Sequence, residues 1–438
     1  MSSPSDQSSM QQLVQPTFSE ALRFWLKLGL ISFGGPAGQI SIMHEELVEK
    51  RRWVSEQQFL HALNFCMLLP GPEAQQLATY TGWLLHKKRG GLAAGALFVL
   101  PSMVLLWLLS VVYAVHGSVP WVAAIFQGLK AAVIAIVFSA LIKIGKKALK
   151  NPVMWAIAAL SFFAIYRFNV PFPIIIIASA LIGFFGDKFA PAFFRVLQQN
   201  TVPLNNQTTT GNTIQLKQNA VLYSVKILFT GALLWWSPVL LAGLLLGWDS
   251  TAVQQGVFFS KAALVTFGGA YAVLPYVAQQ AVETHQWLTF TQMMDGLGLA
   301  ETTPGPLVMV VQHVGFMGGW NHPGNLSPMV SGTISALITT WVTFVPCFMF
   351  IFLGAPYIER LRGNESLVSA LSAVTAAVVG VILNLGVWFT LHAVFPAEAG
   401  VDWFILLLAI SAFIGLKQFN WPMIPVIASC GLLGLILG

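Results

Sequence analysis

Two short stretches carry the residues best suited to chemistry: Leu68-Leu69-Pro70-Gly71-Pro72-Glu73-Ala74-Gln75-Gln76 and Glu301-Thr302-Thr303-Pro304-Gly305-Pro306. In each, Pro-Gly-Pro interrupts an apolar run, because proline removes a ladder hydrogen bond and glycine lets the backbone turn. A half-helix that restarts after such a break presents unbonded N–H groups and about half a positive charge. That end is a binding site for an anion. Glu73 follows its break and Glu301 precedes the other, so they are not equivalent in position. Each is a candidate proton carrier, since a carboxyl beside an anion site in the membrane interior is placed to exchange a proton against the anion. The plain alternative for Glu73 is a favourable acid in the first turn of a helix.

Other residues cluster around these breaks in the sequence. Lys27 and Lys261 each stand six residues before a second kind of break, Phe33-Gly34-Gly35 and Phe267-Gly268-Gly269. Intramembrane lysines are costly and usually face a cavity or a partner, so this pair is expected to draw the anion inward; snorkelling to the interface is the alternative. The expected substrate site is therefore Lys27, Gly34, Gly35, Pro70, Gly71, Pro72, Gln76, Lys261, Gly268, Gly269, Pro304, Gly305 and Pro306. Thr79 and Tyr80 share a face with Glu73 and Gln76, and Gln312 and His313 occupy the analogous half-helix; they either bond oxyanion oxygens or pack. Arg23 maps on Val257 and drops out of a symmetric site. Lys130 and Lys226 have no paired base and read as snorkelling.

The elements that must position these residues come in two copies. An offset of 234 residues maps Phe24 on Phe258, Lys27 on Lys261, Trp53 on Trp287 and Gly71 on Gly305; beyond Trp320 the offset becomes 245, pairing Pro101 with Pro346. Duplication in an apolar chain points to a transporter. The segments 18–43 and 59–85 are apolar but broken, and backbone of that kind at membrane depth is tolerated only where protein or a wet cavity satisfies it. Spans follow at 91–115 and 122–142, with shorter apolar runs at 153–166 and 171–185. A polar connector, 186–220, ends the first repeat (18–185), and residues 1–17 read as a disordered tail. An unpaired span, 221–248, precedes the second repeat, 258–438. The expected fold is an all-α polytopic membrane protein of two homologous repeats, each with two broken re-entrant hairpins and about four further membrane helices.

Composition and loop charge set the frame. Of 438 residues, 9% are charged and 56% hydrophobic, with mean hydropathy +0.74, which excludes a soluble domain. The net charge of +6 reflects basic residues in short loops rather than a nucleic-acid surface. Sixteen of the twenty-two Lys and Arg residues fall at 50–52, 87–89, 143–150, 188–217, 360–362 and 417, which places those loops in the cytoplasm. The loops 116–120, 249–257, 279–289, 317–328 and 392–402 contain none and are placed outside, with the C-terminus. Equivalent loops thereby fall on opposite sides, so the repeats are inverted, and the span 221–248 turns the second one over. Cys66, Cys347 and Cys430 lack CxxC spacing and the histidines lack an HxxxH pair, which argues against a metal site or disulfide framework. No GxxxxGK[ST] occurs and no catalytic cluster stands out, so neither a nucleotide, nor a cofactor, nor an enzyme is expected.

The motifs Phe33-Gly34-Gly35-Pro36, Leu69-Pro70-Gly71-Pro72-Glu73-Ala74-Gln75-Gln76-Leu77-Ala78, Phe267-Gly268-Gly269-Ala270 and Glu301-Thr302-Thr303-Pro304-Gly305-Pro306 resemble the signatures of the chromate ion transporter family. The resemblance runs over nearly the whole chain and is to the long, two-domain members rather than to the short ones that work as pairs. It implies export of chromate from the bacterial cytoplasm across the inner membrane, driven by the proton-motive force, and chromate resistance. Ala270 stands where the first repeat has Pro36, making the second copy imperfect. Sulfate, also a tetrahedral dianion, is the alternative substrate, a passive anion channel is the alternative mechanism, and a homodimer is left open.

Overall fold

The computed structural model describes residues 13–33, 35–194, 220–355, 365–396 and 400–437, and among these every regular element is helical. Gly34, most of the tail and most of the connector lie outside the described residues. In the first repeat the helices are α1 (Phe18–Ile31), α2 (Gly35–His44), α3 (Glu56–Cys66), α4 (Glu73–His116), α5 (Pro120–Ala148), α6 (Pro152–Phe168) and α7 (Phe172–Phe189), followed by the single turn α8 (Pro191–Phe194). Helix therefore continues a few residues past the predicted start of the connector, because Gly186-Asp187-Lys188-Phe189 contains no breaker stronger than one glycine. After α9 (Ala220–Leu246) come α10 (Thr251–Val265), α11 (Ala270–Gln279), α12 (Phe290–Thr302), α13 (Val310–Asn321), α14 (Pro328–Gly354), α15 (Glu365–Val394), α16 (Trp403–Lys417) and α17 (Met423–Leu437). Six of these helices are long and apolar enough to cross a membrane, and α6, α16 and α17 are shorter apolar helices.

The duplication extends to backbone detail. A π-helical turn, Glu45–Lys50, follows α2, and another, Gln280–Thr284, follows α11. Next come Arg52 at φ +54° and Gln286 at φ +51°, which are equivalent positions. Ser55 with Gln58 and Thr289 with Gln292 then form equivalent capping boxes at the starts of α3 and α12. Such agreement arises because the same local sequence chemistry is used twice.

Both broken segments of each repeat enter and leave on one face. The Val14 N–H donates to the Arg52 carbonyl at 3.0 Å, Arg51 lies 4.0 Å from Glu20, and the Phe18 ring sits 5.5 Å from His86. The start of α1, the 44–58 loop and the end of the second hairpin are therefore neighbours. His86 and Lys87 leave helical φ/ψ there, and residues 88–116 then run on as a span of roughly 43 Å at 1.5 Å per residue. In the second repeat Thr251 Oγ1 donates to the His322 carbonyl at 3.0 Å, and His322 Nε2 lies 2.9 Å from the Gln286 carbonyl, which closes the same arrangement. Pro120, Phe290, His392 and Asp402 line one cavity, so the loops that lack Lys and Arg gather on one face. Lys146 and Lys417 are neighbours on the other. The hairpins of the two repeats thus open to opposite faces, as an inverted repeat requires.

The core is one large apolar cluster to which both repeats contribute, with a small satellite of Ala148, Ala158 and Val379. The equivalent half-helices α3 and α12 are buried unequally. On α12, residues 293–301 are all buried, with Gly298 against Leu129 and Val133 of α5. On α3, Asn64 is exposed and Leu60, His61 and Leu63 are half-buried, and Met67 just after it is exposed.

Candidate functional site

The four breaks meet, and each pairs with the opposite repeat. The Gly71 N–H donates to the Thr266 carbonyl at 2.7 Å, and the Gly305 N–H donates to the Ser32 carbonyl at 2.8 Å. Gly71 and Gly305 are equivalent, and so are Ser32 and Thr266, so this is one interaction made twice. The breaks explain why it is possible: α1 ends at Ile31 and α10 at Val265, which leaves the next carbonyls without helical partners. Side chains pin the same backbone. Gln39 Nε2 donates to the Gly305 carbonyl at 2.6 Å and to the Ser32 carbonyl at 3.2 Å, while Gln76 Nε2 donates to the Pro70 carbonyl at 2.7 Å.

Glycine is required at both Pro-Gly-Pro turns. Gly71 has φ +124° and Gly305 φ +106°, which L side chains rarely adopt. A Cβ on Gly71 would stand 2.7 Å from Cys347 Sγ and 2.8 Å from Gln76 Nε2; one on Gly305 would stand 2.5 Å from Ser102 Cβ. Ser102 and Cys347 are equivalent through the offset of 245, each one residue after the proline within its long helix, Pro101 of α4 and Pro346 of α14. Each turn is therefore closed on one side by the other repeat's first break and on another by the other repeat's long helix.

The helices restarting at the breaks begin at Glu73 after Pro72, at Ala270 after Gly269, and at Leu307 after Pro306, the last as a 3-10 turn running into α13; none has a side-chain cap. By contrast Thr17, Ser55, Asn151, Thr289 and Asp402 cap the starts of helices that face the loops. The uncapped ends gather N–H donors and the positive ends of helix dipoles in one region. Gln39 Oε1, Gln76 Oε1 and Ser102 Oγ are buried there with no hydrogen-bond partner. Phe33, Leu68, Leu69, Pro70, Glu73, Phe267 and Gly268 are half-buried and Thr302 is exposed, so the region keeps open space. It gathers donors and dipole ends, a combination suited to a small anion, and no group of His, Cys, Asp or Glu that could hold a metal occurs among the described residues.

The two acids sit differently within it. Glu73 Oε1 is 4.0 Å from the point where a Cβ on Gly269 would lie, so the acid of the first repeat faces a break of the second. Glu301 is 8% exposed and accepts a hydrogen bond from the Tyr271 hydroxyl at 2.8 Å, tying together two breaks of one repeat.

The lysines are not brought into this site. Ala21, Phe24, Trp25, Leu28 and Gly29 form the buried face of α1, and Lys27 lies on the exposed face with Leu26 and Leu30. Lys261 is exposed next to buried Ala262 and Ala263. It lies within electrostatic reach of His285, in the loop after α11, whose basicity is lowered first by burial and then by that ammonium. Two exposed alkyl stems on helix surfaces are snorkelling geometry. Lys226 is exposed as expected, but Lys130 lines the cavity between the Lys/Arg-free loops. Gln312 and His313 bond α4 instead of the turn backbone: Gln312 donates to the Met103 carbonyl at 2.8 Å, and His313 Nδ1 lies 2.9 Å from Ser110 Oγ.

Sequence reasoning passed over Ser32, Thr266, Gln39, Ser102, Cys347 and Tyr271. The register of the repeat held part of the signal, because it aligns Ser32 with Thr266 and Ser102 with Cys347. Gln39 and Tyr271 align with apolar residues and carried none.

A family model described as Chromate transporter matches residues 19–184 and 253–435. A chromate transport protein of Cupriavidus metallidurans is 27% identical over 423 residues, 96% of this chain and 93% of that one. Another, of Pseudomonas aeruginosa, is 31% identical over 367 residues, 82% of this chain and 77% of that one. An uncharacterized transporter of Bacillus subtilis is 28% identical over 159 residues, which are 35% of this chain but 88% of the relative, about the extent of one repeat. No solved structure matches.

Proposed function

The chain belongs to the chromate transporter family, and from that premise we propose that it exports chromate from the cytoplasm across the inner membrane as a proton-coupled secondary transporter, conferring chromate resistance. The observation that carries the reading is the meeting of the breaks from both inverted repeats, with uncapped helix starts and the paired bonds Gly71 to Thr266 and Gly305 to Ser32. A tetrahedral dianion fits such a site: it takes N–H donors from several directions, and two helix ends of opposite origin share its charge. Gly71 and Gly305 let each turn close against the opposite repeat, at Cys347 and Ser102, where a side chain would hold it off.

Release to the outside is downhill for the charge. At about 100 mV, inside negative, each elementary charge gains about 2.3 kcal/mol, so a dianion gains roughly 4–5 kcal/mol on leaving. Rocking of one repeat against the other about the breaks opens the site alternately to the two faces. Glu73, beside Gly269 and in the first turn of α4, is placed to hold a proton when the anion is absent and to give it up when the anion arrives.

Labelled chromate uptake into everted membrane vesicles tests the function, with sulfate as competitor and an uncoupler as control. Uptake that an uncoupler abolishes supports coupled export; uptake indifferent to the uncoupler and running only down the imposed chromate gradient is that of a channel, and sulfate competing at equal concentration makes the protein a general oxyanion carrier. Glu73→Gln is expected to keep chromate binding and lose the response to a pH gradient. A full response in that variant would reduce Glu73 to a helix-start acid.

A further inference from the structure

A second buried acid lies apart from the breaks. Asp295, on α12 two turns before Glu301, is 3% exposed and accepts a hydrogen bond from the Tyr113 hydroxyl of α4 at 2.8 Å. Its other oxygen, Oδ1, is buried with no hydrogen-bond partner, and Asp295 makes no ion pair among the described residues. An unpaired carboxylate in the membrane interior is strongly disfavoured unless it takes a proton or a partner. The groups that face it come from three helices. The Tyr113 ring packs 5.4 Å from the His313 ring of α13, His313 also contacts Gly296, and Lys130 of α5 acts electrostatically on the carboxyl. The helix α17, which also borders α12, carries no charged side chain.

Lys130 is also where the cluster meets open space. It lines a cavity of about 450 Å³, together with Gln127, Phe290, His392 and Asp402, on the face of the Lys/Arg-free loops. In that cavity Gln127 Nε2 donates to Asp402 at 3.2 Å, so part of its wall is polar. His61 is the residue of the first repeat equivalent to Asp295, so the acid has no symmetric copy.

We propose that Asp295 is a proton-binding site of the transport cycle, held by Tyr113 and loaded from the outer face, where Lys130 lines the cavity, and that it is distinct from the anion site at the breaks. The proposal rests on the reading of the chain as a proton-coupled exporter. A proton entering from the outer face neutralises Asp295, and loss of that proton toward the cytoplasmic side restores the carboxylate, so the acid changes charge once per cycle on the same half-helix that carries Glu301 and the second Pro-Gly-Pro turn. Tyr113 is a positioning residue, since it acts through Asp295.

The experiment uses the full-length protein in proteoliposomes with an internal pH dye, scoring chromate-driven proton movement alongside chromate exchange at equal concentrations on both sides. Asp295→Asn keeps an acceptor for Tyr113 and removes the titratable group; it is expected to lose proton movement while exchange persists, and Asp295→Glu is expected to restore proton movement. Wild-type proton movement in Asp295→Asn overturns the proposal. Absence of any chromate exchange by the wild-type protein would instead overturn the exporter reading itself. Should Asp295→Asn fail to reach the membrane, the unmodified protein is treated with dicyclohexylcarbodiimide, which reacts with protonated buried carboxyls. An adduct on Asp295 that declines as outer pH rises supports the site, and none at any pH overturns it.

Discussion

At the scale of single residues, the glycines of the two turns carry the sharpest consequences. Gly305→Ala adds a Cβ 2.5 Å from Ser102 Cβ at a φ of +106°, so it meets both a clash and a conformational cost of about 1–2 kcal/mol. Transport should be lost. Adding Ser102→Gly removes the clash but not the strain, so the double variant should recover part of the uptake and of the lost thermal stability; no recovery would mean that Ser102 does not face Gly305. The lysines give the opposite expectation. Lys27→Gln and Lys261→Gln should leave the apparent affinity for chromate unchanged, because both side chains lie on exposed faces away from the turns. A clear loss of affinity in either variant would show that these faces join the permeation path. The facing of these lysines was not legible for a physical reason: position along a helix reports depth, whereas facing is read from the contrast between apolar and polar sides. In α1 that contrast is blurred, because exposed Leu26 and Leu30 flank Lys27 just as buried Trp25 and Leu28 do.

At the scale of elements, the broken segments were legible because proline and glycine act locally, and the inversion was legible because loop charge is a local property too. The partner of each break was not. Pairing Gly71 with Thr266 joins residues almost two hundred apart, and nothing in either neighbourhood specifies the other. The restarting helices yield a prediction about their N–H groups. The first intrahelical bond in α4 runs from the Gln76 N–H to the Pro72 carbonyl, which leaves the amides of Glu73, Ala74 and Gln75 without helical partners. Hydrogen exchange read by mass spectrometry should show peptides covering 67–76 and 301–310 gaining protection when chromate is added. Protection gained only in the loops would place the anion elsewhere.

At the scale of the whole molecule, the two repeats are equivalent in sequence but unequal in exposure, with α12 covered by α5 while the matching face of α3 stays open. Opposite orientation is directly measurable at the equivalent residues Gln57 and Thr291, both exposed. In a background lacking Cys66, Cys347 and Cys430, an impermeant thiol reagent should label Gln57→Cys only from the cytoplasmic side and Thr291→Cys only from outside; labelling of both from one side would refute the inversion. The exchanged bonds at the breaks also bear on how the protein is made. Neither repeat satisfies the glycine N–H of its own turn, so each supplies the carbonyl that finishes the other. A chain cut within residues 195–219 should therefore still yield a working transporter when both fragments are co-produced, and either fragment alone should be cleared by membrane proteases. A repeat threaded into the bilayer the wrong way up would offer its Ser32 or Thr266 carbonyl to no one, leaving two turns unbonded in a solvent that cannot compensate them. The reciprocal bonds thus make an oppositely inserted pair the arrangement in which both turns are bonded at once.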